Sequence, residues 1–199
     1  MLRESIEEKR MNMKVKRTIK VKNPEKYQVG DIISFKLANG EKVEALAVKE
    51  ENDNMLFCFV DCLEDEYHMN GTNTTEGGFE TSNLNTYLNV KIIRLFPEKI
   101  KKNMVEFENE KYLRIPTERE IFGEAKYGNE PDNAEQWKPM KRRKNRIACL
   151  GKYGQLDWYW LSAVASSTNF CNCGTYGNAN CIYASSANGV RPVFMLKNH

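Results

Sequence analysis

Three cysteines fall within eleven residues near the carboxyl end, Cys171-x-Cys173 and Cys181, inside the stretch NFCNCGTYGNANCIY from Asn169 to Tyr183. Thiolates hold metals, pair as disulfides or act as nucleophiles. A closed zinc site takes four ligands, commonly two close pairs such as C-x2-C. Here three thiolates stand together, while the two histidines, His68 and His199, lie in a polar stretch and at the chain end. A nucleophilic cysteine needs a histidine base or another means of lowering its pKa, and no neighbour in the sequence supplies one. Six cysteines in a chain whose first residues, MLRESIEEKRMNMKVKRTIK, mix both charge signs without an apolar stretch point to reduced thiols. No metal, no cofactor and no catalytic residue is assigned on these grounds.

What the stretch does offer is a contact surface. Trp158 to Val190 is a run of 33 residues without a charged side chain. In a chain that is 29% charged, chance alone leaves such a run about once in 10⁵ tries. Asn, Ser, Gly, Thr and Tyr fill it, so it is not apolar enough to be all core. Tyrosine gives a large rigid contact with one polar tip, and Asn, Ser and Gly adapt their hydrogen bonds, as in antibody paratopes. Charged groups are disfavoured at interface centres because stripping their water is costly. The candidate ligand-binding residues are therefore Asn169, Phe170, Asn172, Tyr176, Asn178, Asn180 and Tyr183, on a face spanning about 166–188 that meets a protein or a glycan. Short strands joined by Asn and Gly turns would produce the same letters, and that alternative stays open.

The elements that must carry this face are legible upstream. The 199-residue length suits one domain, and 41% hydrophobic residues suit a globular one. YQVGDIISFKLANGEKVEALAVKEENDNMLFCFVDCL reads as a three-strand meander with turns at Asn39-Gly40 and Glu51–Asn54, and Cys58 is a small hydrophobe within its last strand. Residues 66–78 are polar and Gly-rich, hence loop. Thr81 or Ser82 can cap a helix to about Arg94, with Leu84, Tyr87, Leu88 and Ile92 on helical spacing. Pro97 opens a second short helix, PEKIKKNMV, with Ile100 and Met104 four apart. Leu113 to Ile115 reads as a short strand, followed by a Thr117/Glu120 capping box and a helix closing near Gly123 to Gly128.

Net charge is +3, too small to argue for nucleic acid, but its placement is uneven. Residues 1–22 form a charged arm ahead of a domain over 23–199. A second cluster, KPMKRRKNR from Lys138 to Arg146, puts six cations in nine residues. Both read as solvated segments first and as contacts for an acidic or phosphate-bearing partner second. No run approaches the roughly 20 apolar residues of a membrane helix.

The carboxyl-terminal residues Trp158-Tyr159-Trp160-Leu161-Ser162 and Ser186-Ala187-Asn188-Gly189-Val190-Arg191-Pro192 resemble a domain-of-unknown-function family common in phages and gut Firmicutes. Its members read W-W-L-R-S, a variable Ser/Asn/Tyr stretch, then G-V-R-P. FETSNLNTYLN resembles the family's W-x-x-S-D-L-R-x-W-L-N helix, with Phe79, Asn83, Asn85 and Tyr87 departing from it, and Ser162 stands where Arg is common. The family is similar to the C-type-lectin-like fold of formylglycine-generating enzymes and of the variable proteins of diversity-generating retroelements. The resemblance implies an α+β fold with an N-terminal antiparallel meander, two or three helices and a loop-rich C-terminal region of short strands. It puts Trp160, Leu161 and Val190 to Leu196 in the core, with Arg191 satisfying loop carbonyls or a carboxylate. It also implies a non-enzymatic binding module, cytoplasmic or on a phage particle, whose Asn/Tyr/Cys positions are rewritten by a retroelement. Two alternatives follow: a phage assembly subunit attached through its basic arm or the 138–146 cluster, and a thiol-dependent oxidase, for which Cys171-x-Cys173 has the wrong spacing.

Overall fold

A computed structural model describes residues 25–129, 134–151 and 154–198; the charged arm 1–22 lies outside them. The meander is present as β1 (Ile32–Lys36), β2 (Lys42–Glu51) and β3 (Asn54–Phe59). Its second turn places Asn52 and Asp53 at φ 49° and 58°, the left-handed pair that Asn and Asp tolerate best among side-chain-bearing residues. β4 (Tyr67–His68), β5 (Met104–Val105), β6 (Ala148–Leu150) and β7 (Gln155–Asp157) are short. β8 (Tyr159–Val164), β9 (Asn169–Cys173), β10 (Ala179–Tyr183), β11 (Ala187–Asn188) and β12 (Val193–Lys197) complete the chain.

All of the strand ladders are antiparallel. The larger sheet has the order β1-β2-β3-β12-β5 and the smaller one β10-β9-β8, beside the pairs β4-β11 and β6-β7. Side chains alternate across a strand, and at the inner strands β2, β3 and β12 both faces are covered. Ala45, Ala47, Phe57 and Phe194 enter one hydrophobic cluster, whereas Leu46, Val48, Leu56 and Val193 enter another. The smaller sheet feeds both clusters as well: Trp160 and Phe170 join the first, Tyr159, Leu161, Cys171 and Cys173 the second. The mixed α/β chain thus wraps two apolar layers around the carboxyl-terminal strand. No helix among the described residues is long and apolar enough to cross a membrane.

The helix expected from Ser82 to Arg94 begins where its cap predicts: Ser82 Oγ accepts the Asn85 N–H at 3.0 Å. It runs as α1 (Asn83–Tyr87), a π turn (Leu88–Ile92) and α2 (Ile93–Leu95), with Leu84, Leu88 and Ile92 buried. α3 (Glu98–Lys101) follows Pro97 but stops short of the expected 97–105, because Met104 and Val105 pair with β12 as β5; α4 (Glu118–Phe122) carries the full Thr117/Glu120 capping box and closes on Gly123 in the left-handed region.

The strand expected at Leu113–Ile115 is instead a single bridge between Arg114 and Val193. A side chain stands where the next strand would be. Asn89, on the π turn, accepts the Tyr112 and Leu113 N–H groups at 2.9 and 3.0 Å and donates to the Leu113 carbonyl at 2.8 Å. Asn89→Ala leaves these main-chain groups unsatisfied beside the core, and each such group costs about 1–3 kcal/mol. We expect a loss of about 2 kcal/mol or more in urea denaturation, with an unchanged m-value.

Candidate functional site

The hairpin β9–β10 pairs Cys171 with Cys181 and Asn172 with Asn180. Its tip is closed by Gly174 N–H to Asn178 carbonyl and Gly177 N–H to Gly174 carbonyl, both at 2.8 Å. Gly177 lies at φ +67°, and a Cβ there would approach the Arg143 carbonyl to 3.2 Å. Only glycine meets both the left-handed backbone and the close packing.

That close approach joins two features that are far apart in sequence. Arg143 Nε donates to the Tyr176 carbonyl at 2.6 Å, and Arg146 Nε donates to the Gly177 carbonyl at 3.1 Å. The cationic segment Lys138–Arg146 is therefore clasped to the hairpin tip. Arg146 also donates to the Met140 carbonyl at 2.9 Å and lies over the Phe122 ring. Between these elements runs a groove of about 480 Å³ lined by Phe122, Lys126, Tyr127, Arg146, Asn178 and Ala179. The loop on its far side is held by Glu118, a buried residue whose carboxylate accepts the Tyr127 and Gly128 N–H groups.

The expected contact residues divide by burial. Tyr176 is 69% and Tyr183 55% exposed; Asn178 is exposed, and Asn169 and Asn180 are half-buried. Phe170 and Asn172 are fully buried, which removes both from an exposed face. β9 is the middle strand of its sheet with an apolar layer on each side, so from Phe170 to Cys173 neither parity of its side chains reaches solvent. The Asn172 amide has no hydrogen-bond partner. Tyr176 sits at the tip and Tyr183 at the other end of β10, about 20 Å apart at strand spacing; they form two contact points.

Sequence reasoning missed the clasp. KPMKRRKNR was visible as a charge cluster, but nothing in its spacing reveals that Arg143 and Arg146 grip main-chain carbonyls 31 to 33 residues away. Lys126 and Tyr127 carried no signal at all.

Beneath the clasp lies Arg191, 1% exposed. Its Nε donates to the Phe59 carbonyl at 2.6 Å, Nη1 to the Tyr159 hydroxyl at 3.1 Å and Nη2 to the Asn145 carbonyl at 3.0 Å. Tyr159 in turn donates to the Arg146 carbonyl at 2.9 Å. Burial pushes Cys58, Cys62 and Tyr159 up, so these neighbours are neutral at pH 7. Carbonyl and hydroxyl dipoles hold the charge. Burial pushes the Cys173 and Cys149 thiols up as well.

Tyr159 and Arg191 belong to the Trp158–Ser162 and Gly189–Pro192 motifs, and the family follows. A family model described as a domain of unknown function, DUF6273, matches residues 52–198. The chain belongs to the DUF6273 family. No curated protein and no solved structure matches it. Within the DUF6273 domain the matched motifs have structural tasks: Ser82 caps, Leu84 and Leu88 fill the core, Asn89 replaces a strand and Arg191 ties three segments together.

Arg191→Lys keeps the charge but offers no planar fork. We expect it to lower unfolding free energy by about 3 kcal/mol, since hydrogen bonds to charged groups contribute about 1.5–3 kcal/mol each. Denaturant titration checks this. Asp157 gives a pH signature: its buried Oδ2 has no hydrogen-bond partner among the described residues, Oδ1 accepts the Trp158 N–H, and burial raises its pKa. A raised carboxyl favours the folded state only while protonated, so that stability is present in acid and lost as pH rises through the raised value. Asp157→Asn should therefore melt higher than the parent at neutral pH, with the gap closing as pH falls.

Proposed function

We propose that the domain is a non-enzymatic binding module whose contact surface is the β9–β10 tip with Tyr176 and Asn178, the clasped segment Lys138–Arg146, and Tyr127 across the groove. The partner is a protein or a glycan. One observation supports this reading above the others: two arginines fix a cationic segment against an exposed tyrosine tip, so aromatic anchor and charge are pre-positioned rather than paid for on binding. Lys138, Lys141, Arg142, Arg143 and Lys144 are exposed and form no ion pair among the described residues, which favours an acidic partner surface.

In the same reading the fold is C-type-lectin-like, the protein is phage- or prophage-encoded, and residues 166–188 are the diversified segment. Diversification then acts outwardly at Tyr176, Asn178 and Tyr183, and inwardly at Phe170 and Asn172. The second reading, an assembly subunit, draws on the cationic segment alone and requires binding that weakens steeply with salt.

The test is a protein and glycan array probed with the full chain, then with Tyr176→Ala/Tyr183→Ala and with Arg143→Ala. Loss of an anchoring tyrosine is expected to weaken retention about tenfold or more with an unchanged melting curve. Retention that ignores both variants would refute the surface. Retention that ignores the tyrosines but collapses with Arg143→Ala and with salt would favour assembly.

A further inference from the structure

β9 and β10 place Cys181 directly opposite Cys171. Which kind of pair this is follows from the ends of the ladder. Gly174 N–H donates to the Asn178 carbonyl, and Ala184 N–H donates to the Thr168 carbonyl. Hydrogen-bonded pairs recur at every second residue of an antiparallel ladder, so 172 with 180 and 170 with 182 are bonded pairs. Cys171 with Cys181 is then a non-hydrogen-bonded pair. Such pairs hold their Cα atoms about 4.5 Å apart and their side chains close on one face. A disulfide spans Cα separations of about 4.4–6.8 Å.

Both sulfurs occupy the same side. Asn169 Nδ2 lies 4.0 Å from Cys181 Sγ, and Asn169 shares the parity of Cys171. A Cβ on Gly128 would come within 3.1 Å of Cys171 Sγ and 2.4 Å of Ala163, which places that sulfur on the layer facing Gly128 and Ala163. Cys173 is excluded as the partner: it pairs with Ala179, and its Sγ donates to the Arg146 carbonyl at 3.3 Å. Both cysteines of the pair are thiols here. Cys181 is half-buried on an edge strand, whereas Cys171 is fully buried.

From this juxtaposition we infer that Cys171 and Cys181 form a dithiol–disulfide pair, a modification site built into the hairpin by register. The oxidant is a small-molecule disulfide such as oxidised glutathione. The Cys181 thiolate attacks one sulfur of that disulfide; its S–S bond breaks, one small thiolate leaves, and a mixed disulfide forms. The Cys171 thiol gives up its proton and attacks the Cys181 sulfur, releasing the second small thiolate. Two protein thiols are oxidised and one small disulfide is reduced to two thiols. The order follows exposure, since only Cys181 meets a solvent-borne oxidant first.

The inference does not depend on the binding reading, and its test needs no ligand. The full chain is equilibrated in glutathione buffers from reducing to oxidising, quenched with alkylating agent and digested with chymotrypsin, which cuts after Tyr176 between the two cysteines. In oxidising buffer the Cys171 and Cys181 fragments are expected to run joined, lighter by two hydrogens, and to separate on reduction. Cys173→Ser and Cys149→Ser keep the joined species; Cys171→Ser and Cys181→Ser lose it. Cys181→Ser, at a half-exposed edge position, carries the test if Cys171→Ser does not fold. Fragments that separate without reduction in the most oxidising buffer would overturn the inference. So would a joined species that survives Cys181→Ser or disappears with Cys173→Ser.

Discussion

A buried guanidinium without a carboxylate is the constraint around which this domain is arranged. Arg191 is out of water, and an unpaired buried charge is destabilising unless its hydrogen-bonding capacity is met. Its three partners come from three places: the end of β3, the aromatic strand β8 and the last turn of the cationic segment. Satisfying one side chain therefore fixes their mutual placement. Because Tyr159 passes the network on to the Arg146 carbonyl, the surface clasp at the hairpin tip is supported from the core outward.

This arrangement also explains why the neutral carboxyl-terminal third is neither all core nor all surface. β9 is covered on both faces, so Phe170, Cys171, Asn172 and Cys173 are interior. β10 is an edge strand, and its residues are half-buried or exposed. A neutral, polar-leaning composition suits both settings, which is why it marks the region without separating its two strands.

Local features were legible in the sequence because their causes are local. The Ser82 cap, the Thr117/Glu120 box, the Asn52-Asp53 turn and the meander each depend on residues within about four positions of one another. The burial of Trp160 and Leu161 and the carbonyl-binding role of Arg191 could likewise be anticipated from motif, whereas the helix expected over 97–105 gives way at Met104–Val105 to a strand paired with β12. What stayed hidden was long-range. Tyr67–His68 sits in a stretch that reads as loop, yet it pairs with Ala187–Asn188. The segment at Leu113 needs no second strand because Asn89 reaches it from a helix. The candidate surface depends on Arg143 and Arg146 meeting a turn that only the folded chain brings near. No periodicity encodes such meetings.

The clasp grips Tyr176 and Gly177 by their carbonyl oxygens, and every residue type has one. The side chain at 176 is therefore decoupled from the architecture that supports it, while position 177 is locked. A tip built in this manner is evolvable: its chemical identity can be exchanged across generations without renegotiating the scaffold. Innovation there is limited by folding at the glycines of the turn, Gly174 and Gly177.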